Sequence, residues 1–179
     1  MSLEMCIFAE FATYLLVMSQ YKAPAFTSIG HVHLKVSDLE RSIDFYSKVL
    51  GFELTQRYGD QAAFLSAGGY HHHIGLNTWH SQGASPAPVH ASGLYHLAIL
   101  FPTQKDLAAA LANLVEHNVT IDGAADHGVS EAIYFRDPDE NGIEIYWDRP
   151  RAEWPRDGDG SLRMVSDNLD LRDLLKSST

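Results

Sequence analysis

The chain has 179 residues, 45% of them hydrophobic and 20% charged, enough for one ordinary domain or two small modules sharing a core and too apolar for extended disorder. A formal net charge of -10 disfavours attraction to nucleic acid or anionic membrane, so the expected partner is a small neutral or metal-chelating molecule. The single cysteine, Cys6, excludes an internal disulfide framework and makes a reducing cytoplasm the expected compartment.

Residues 1–27 read as a leader, helical where they are apolar. Glu4 and Glu10 interrupt the apolar run, which lacks a basic start and is shorter than the roughly 20 residues a membrane span needs. Met18 offers an alternative start within it. An apolar leader needs a surface to pack on, so a homodimer is expected.

A first module occupies residues 28–80. IGHVHLKV alternates with period two, setting Val32, Leu34 and Val36 on one face and His31, His33 and Lys35 on the other. Ser37 or Asp38 caps a helix with apolar positions at Leu39, Ile43, Phe45, Tyr46, Val49 and Leu50, and Gly51 ends it. Short strands around FELTQRYG, QAAFLSAG and YHHHIGLNTW follow, separated by Gly59-Asp60 and Gly68-Gly69. Residues 81–92, rich in Ser, Pro, Ala and Gly, read as a linker. Residues 93–149 repeat the layout: YHLAILF is a strand, DLAAALANLVEHNV a helix, and AIYFRD and GIEIYW strands around a Pro-Asp-Glu-Asn-Gly turn. Both modules read as β-α-β-β-β, and residues 150–179 as a polar tail with a short LDLRDLL helix.

Paired modules pack about a pseudo-twofold axis, so equivalent positions are expected to face one another across one sheet. His31 and His96 lie at equivalent points of the first strands. In GIEIYW, Ile143, Ile145 and Trp147 belong to the helix-covered face, leaving the carboxylate of Glu144 on the other, where it is costly unless paired or coordinating. His31, His96 and Glu144 together form the ligand set of a facial-triad metal site with open positions. His33 shares the parity of His31 and is its rival. On the histidine stretch, His71 and His73 share one face and His72, Ile74 and Leu76 the other. Parity thus makes His73 a fourth ligand or an acid/base group and His72 a packed structural residue.

GHVHLKVSDLERSIDFYSKVLGF and RDPDENGIEIYW resemble the first-strand-plus-helix and last-strand signatures of the vicinal oxygen chelate superfamily, over residues 28 to about 155. That superfamily spans glyoxalase I, fosfomycin-resistance and bleomycin-binding proteins and type I extradiol dioxygenases. GYHHHIGLNTW, ASGLYHLAIL and HGVSEAIYFRDPDENGIEIYWDRPRAEW are similar to bacterial catechol-2,3-dioxygenase-like members. The resemblance implies an α+β fold of two paired βαβββ modules, forming a curved mixed sheet around a metal cavity. It further implies Fe(II), with Mn(II), Ni(II) or Zn(II) as alternatives, held by His31, His96 and Glu144. A histidine acid/base, for which His73 is the candidate, a tyrosine at Tyr134 and a substrate-binding His127 also follow from it. The implied partners are dioxygen and a small aromatic substrate, with Phe64, Tyr70 and Trp79 as apolar walls.

Typical extradiol enzymes carry four such modules, and this chain has two. Glyoxalase I has two modules and four ligands, with a glutamate on the last strand of each, where the first module here offers histidine or isoleucine. Three function classes follow: a ring-cleaving extradiol-type dioxygenase of a catecholic substrate, a glyoxalase-like metal-dependent lyase or isomerase, and a metal-free ligand-binding protein.

Overall fold

A computed structural model describes residues 21–177, and the chain divides into two units at Gly30. Most of the expected leader, residues 1–20, lies outside the described residues. Of the first unit, residues 21–30 form a turn in which Thr27 N–H donates to Pro24 O at 2.9 Å.

In the second unit, β1 (Val32–Lys35) buries Leu34 and, just beyond it, Val36, and leaves His33 and Lys35 exposed, as the alternation requires. Asp38 caps α1 (Leu39–Asp44), its carboxylate accepting from Arg41 N–H at 3.1 Å. The expected helix continues to Val49 as a wider π-helical turn, Phe45–Val49, before Gly51 leaves it at φ +75. The widening brings two consecutive aromatic residues against the second module: Tyr46 O–H donates to Asp137 at 3.0 Å and Phe45 lies 6.5 Å from Phe135. β2 (Glu53–Tyr58), β3 (Ala62–Ser66) and β4 (Ile74–Asn77) complete a sheet in the order β1-β4-β3-β2, with β1 parallel to β4.

The second module runs through β5 (Leu97–Leu100), α2 (Gln104–Glu116, capped by Thr103), β6 (Ile121–Asp126), β7 (Ser130–Arg136) and β8 (Gly142–Asp148). β6 has no clear period in IDGAAD and goes unplaced in the sequence, although the β-α-β-β-β count requires it. The tail adds β9 (Asp167–Asn168) to the edge of β6 and ends in α3 (Leu171–Lys176), where LDLRDLL is expected to be helical. The order is β5-β8-β7-β6-β9, with β5 parallel to β8. The α+β architecture of two βαβββ modules holds.

The modules meet through their helix-covered faces. One core draws Leu34, Ile43, Tyr46 and Leu76 from the first and Leu107, Leu114, Phe135 and Ile145 from the second. Each such side chain contributes about 1.5–3 kcal/mol by leaving water. Asn113 Nδ2 donates to Lys48 O at 2.9 Å and Val49 O at 2.8 Å, and Asp139 accepts from Ser37 N at 3.1 Å and from Arg41 Nη2 at 2.8 Å. The two sheets stay separate within the chain, with four and five strands. Among the described residues, the contacts that join the modules come from the core and the helix side.

Arg149 ties the far end of the second sheet, donating to Asp126 at 3.0 Å and to the buried Glu131 at 2.7 Å. Arg149→Met removes the guanidinium from the buried Glu131 carboxylate, which keeps its hydrogen bond from Gln104, and is expected to cost about 2–3 kcal/mol by urea unfolding, discounted for partial exposure. Hydrogen bonds from Arg149 hold the Asp126 carboxyl below its ordinary value. That contribution is present above the unfolded value and lost as pH falls through the folded one. The variant should therefore lose part of the wild-type stability slope on the acid side of pH 4.

Candidate metal centre

The second module brings together two of the expected ligands. Ile143 and Ile145 are buried on the helix side of β8, which turns Glu144 to the opposite face. His96 precedes β5, and its Nε2 lies 2.9 Å from Glu144 Oε2, with side-chain exposures of 31% and 13%. The backbone of residue 95 reaches this position because residue 142 is glycine: a Cβ there would lie 2.2 Å from Tyr95 O and 3.1 Å from His96 Cβ. Tyr134 on β7 stands opposite Glu144 in register, its O–H 3.2 Å from Glu144 Oε1. Burial first, and then the Glu144 charge, push its hydroxyl up to about 12, so it is a proton donor throughout the working range.

His127 completes a chain of contacts. Its Nδ1 lies 2.8 Å from Val165 O and its Nε2 2.8 Å from Tyr134 O–H. A carbonyl only accepts, so Nδ1 carries a proton and Nε2 is the variable position. With His127 neutral, Nε2 accepts from Tyr134. With His127 protonated, Nε2–H donates to Tyr134, whose own proton turns to Glu144. The tail fixes this histidine from both sides, since Val165 N–H also donates to His127 O at 3.1 Å. Nothing in the spacing of the sequence marks Val165.

The first module carries the third expected ligand. His31 precedes β1 as His96 precedes β5, for Val32 pairs with Ile74 and Leu97 with Ile143. The same registers make Gly75, not His73, the counterpart of Glu144. His31 lies against His72 at 4.5 Å between ring centroids, and His72 lies 4.9 Å from Phe64. Burial and then the neighbouring His31 and His71 lower the His72 imidazole below its ordinary value. Burial and His31 act likewise on His33, whose ring covers Gly75 and lies 5.6 Å from Trp79.

The sequence parity fails at the histidine stretch. β4 begins only at Ile74, and the chain reaches it through Gly68 and Gly69 at φ +65 and +77, so period two does not extend back to residues 71–73. His73 instead takes Ser66 Oγ at 3.1 Å and Ala67 N at 3.3 Å on its Nδ1 and packs near Phe52 and Tyr70. His72, expected to be structural, is the one beside His31.

Among the described residues no three His, Cys, Asp or Glu side chains converge to hold an ion. His96 and Glu144 meet in one chain, and His31 does not join them there, contrary to the expected single shared sheet. The donors present still fit a divalent cation: an imidazole nitrogen and a carboxylate oxygen converge on an open face, and His96 Nδ1 is buried with no partner among the described residues.

The chain is 43% identical over 153 residues to a catechol-2,3-dioxygenase of Bacillus subtilis (strain 168), a match covering 85% of this chain and 52% of that protein. It is 30% identical over 121 residues to a biphenyl-2,3-diol 1,2-dioxygenase 3 of Rhodococcus globerulus, covering 67% and 63%. The chain thus spans about half of the first relative's length and under two thirds of the second's. A glyoxalase/dioxygenase crystal structure from Nostoc punctiforme shares the fold, with a TM-score of 0.59 at 21% identity over 74% of this chain and 99% of that one. Residues 28–145 match the sequence profile of one family, and the chain accordingly belongs to the glyoxalase/bleomycin resistance protein/dioxygenase superfamily.

Proposed function

We propose that this protein is an extradiol-type, ring-cleaving dioxygenase of a catecholic or related small aromatic substrate. The observation that carries the reading is the line His96, Glu144, Tyr134, His127, in which a two-donor metal corner is contiguous with a fixed proton path. The names of the two relatives support the same chemistry. His31, His96 and Glu144 would hold a divalent ion, Fe(II) in preference to Mn(II), Ni(II) or Zn(II), which when bound supplies open positions for catecholate and dioxygen.

The protein's own groups then orient the substrate and handle its protons. Tyr134 directs its single hydroxyl hydrogen at Glu144 or at His127, according to whether His127 carries a second proton, and a substrate oxygen at this face would receive it by displacing one of these two acceptors. His72 takes the base role that parity gives to His73. Burial and the neighbouring imidazoles lower its imidazole and so favour the neutral form, and with Nδ1–H donating to His71 Nδ1 at 2.7 Å its Nε2 would be the position to accept a phenolic proton. His73 braces the turn that presents it. Phe64 and Trp79 beside the histidines supply apolar surface for a ring.

A glyoxalase-like lyase or isomerase is the second reading. Gly75 at the position equivalent to Glu144 argues against it, because no fourth carboxylate ligand comes from the first module. A metal-free binding protein has no use for the Tyr134–Glu144–His96 contacts. Protein purified without oxygen and loaded with Fe(II) should consume one dioxygen per catechol lost. Metal uptake without oxygen uptake for catechol or biphenyl-2,3-diol would remove the dioxygenase reading. Tyr134→Phe should lower kcat by roughly 100-fold while leaving metal content unchanged, measured by oxygen electrode and elemental analysis.

A further inference from the structure

We propose that the tail is a positioning strap for His127: the backbone of Val165 selects which ring nitrogen of that histidine carries its proton and aims the other at Tyr134. The inference rests on the proton path of the reading above and adds what sets its direction.

Residues 156–164 are exposed, and Val165 is the first half-buried position after them. It meets His127 twice, its N–H donating to His127 O at 3.1 Å and its carbonyl accepting from His127 Nδ1 at 2.8 Å. A strand that only covers the edge of β6 bonds backbone to backbone, as β9 does opposite Ala125 and Asp126. At Val165 the carbonyl takes a side chain instead. Because a carbonyl has no proton to give, the neutral imidazole carries its own on Nδ1, the tautomer that a free histidine disfavours, and Nε2 is left as an acceptor 2.8 Å from Tyr134 O–H. In the other tautomer two lone pairs would face each other at Nδ1, and Nε2 would donate to Tyr134 rather than accept from it.

The approach of the strap is held from three sides. Before Val165, Trp154 Nε1 donates to Arg149 O at 2.8 Å, and a short hairpin brings the chain back, with Arg156 opposite Leu162 and Arg163 N–H donating to Pro155 O at 2.9 Å. After it, β9 pairs with β6 and α3 buries Leu174 in the common core. Beneath it, Gly128 makes room. Its φ is +74, and a Cβ there would lie 2.9 Å from Pro155 Cγ and 3.4 Å from Val165 Cγ2, so the residue next to His127 lets the tail come close.

The test reads the position of the proton. Metal-free protein carrying isotope-labelled histidine is studied by nitrogen NMR at about pH 8, above the ordinary imidazole range, and the His127 signals are those missing from His127→Gln. Wild type should show Nδ1 protonated and Nε2 bare. Val165→Pro removes the N–H that holds the two segments together and should return His127 to the mixture of a free imidazole, with Nε2–H in excess. Val165→Ala trims the side chain but keeps both backbone bonds, so it should keep the wild-type form, whereas a packing role would move both variants alike. Gly128→Ala reaches the same contact from the loop side and should act as Val165→Pro does, which decides the matter if the proline variant does not fold. Loaded with Fe(II), the two disruptive variants should lose roughly 10–100-fold in kcat for a catechol while KM stays within about twofold. A wild-type His127 protonated on Nε2, or the wild-type tautomer surviving in Gly128→Ala and in a folded Val165→Pro, overturns the proposal. The expected tautomers in a protein that consumes no oxygen with catechols would keep the strap and discard the dioxygenase.

Discussion

Glu144→Ala is expected to empty the metal centre, with bound Fe(II) falling from about one per chain to under one tenth at micromolar ion and ring cleavage falling by more than roughly 100-fold. Glu144 is the carboxylate of the set, it is mostly buried, and its two oxygens serve different partners, one near His96 Nε2 and one near Tyr134 O–H. Removing it takes away a ligand and the acceptor that orients the proton path in one step. A further consequence separates this from general damage. The Glu144 charge is part of what raises the Tyr134 hydroxyl, after burial, so the Tyr134 ionisation should move down from about 12 in the variant while remaining above an exposed tyrosine. Tyrosinate absorbance between pH 10 and 12, with Tyr134→Phe as the blank, reads this directly. An unchanged titration would mean that Tyr134 is insulated from Glu144. The linkage has a definite sign: a raised pKa gives stability that is complete below the unfolded value near 10 and is lost as pH rises through 12.

Gly142→Ala is expected to disturb the same centre without touching a ligand. An alanine Cβ would lie 2.2 Å from the carbonyl oxygen of Tyr95, and that atom is backbone, so the start of β5 must move rather than a side chain turn aside. His96 is the next residue and its Cβ is also in the way, at 3.1 Å. The cost should be about 1–3 kcal/mol in thermal or urea unfolding, the range for overpacking a fitted interior. Metal affinity should drop by roughly 10–100-fold, the size seen when groups that orient ligands are lost. Gly75→Ala is the control. Its Cβ would meet the His33 ring first, at 2.9 Å, a side chain rather than backbone, so stability should change less. Equal losses in the two variants would show that the close approach at residue 142 does not position His96.

Much of the molecule was legible because short-range physics decides it. Period two in IGHVHLKV buries Leu34 and Val36 and exposes His33, and it isolates Glu144 between Ile143 and Ile145 whatever the rest of the chain does. The repeat of strand, cap and helix sets His31 and His96 at matching positions, each one residue before a paired strand. The same reasoning failed at residues 71–73, since parity has meaning only inside a strand and β4 starts at Ile74. It also passed over Val165, which reaches His127 from 38 residues away through a tail with no periodic pattern.

The sequence by itself determined the two modules, the faces of their strands and the kinds of residue on those faces, because side-chain direction follows from backbone geometry over a few residues. Only the tertiary structure decided how the modules face each other. The Tyr46–Asp137 and Asn113–Val49 contacts and the common core join them by their helix sides, and no local pattern encodes a contact between surfaces some 60 to 90 residues apart in the chain. That choice leaves His31 and Glu144 on two separate sheets, with no three ligand-type side chains converging among the described residues.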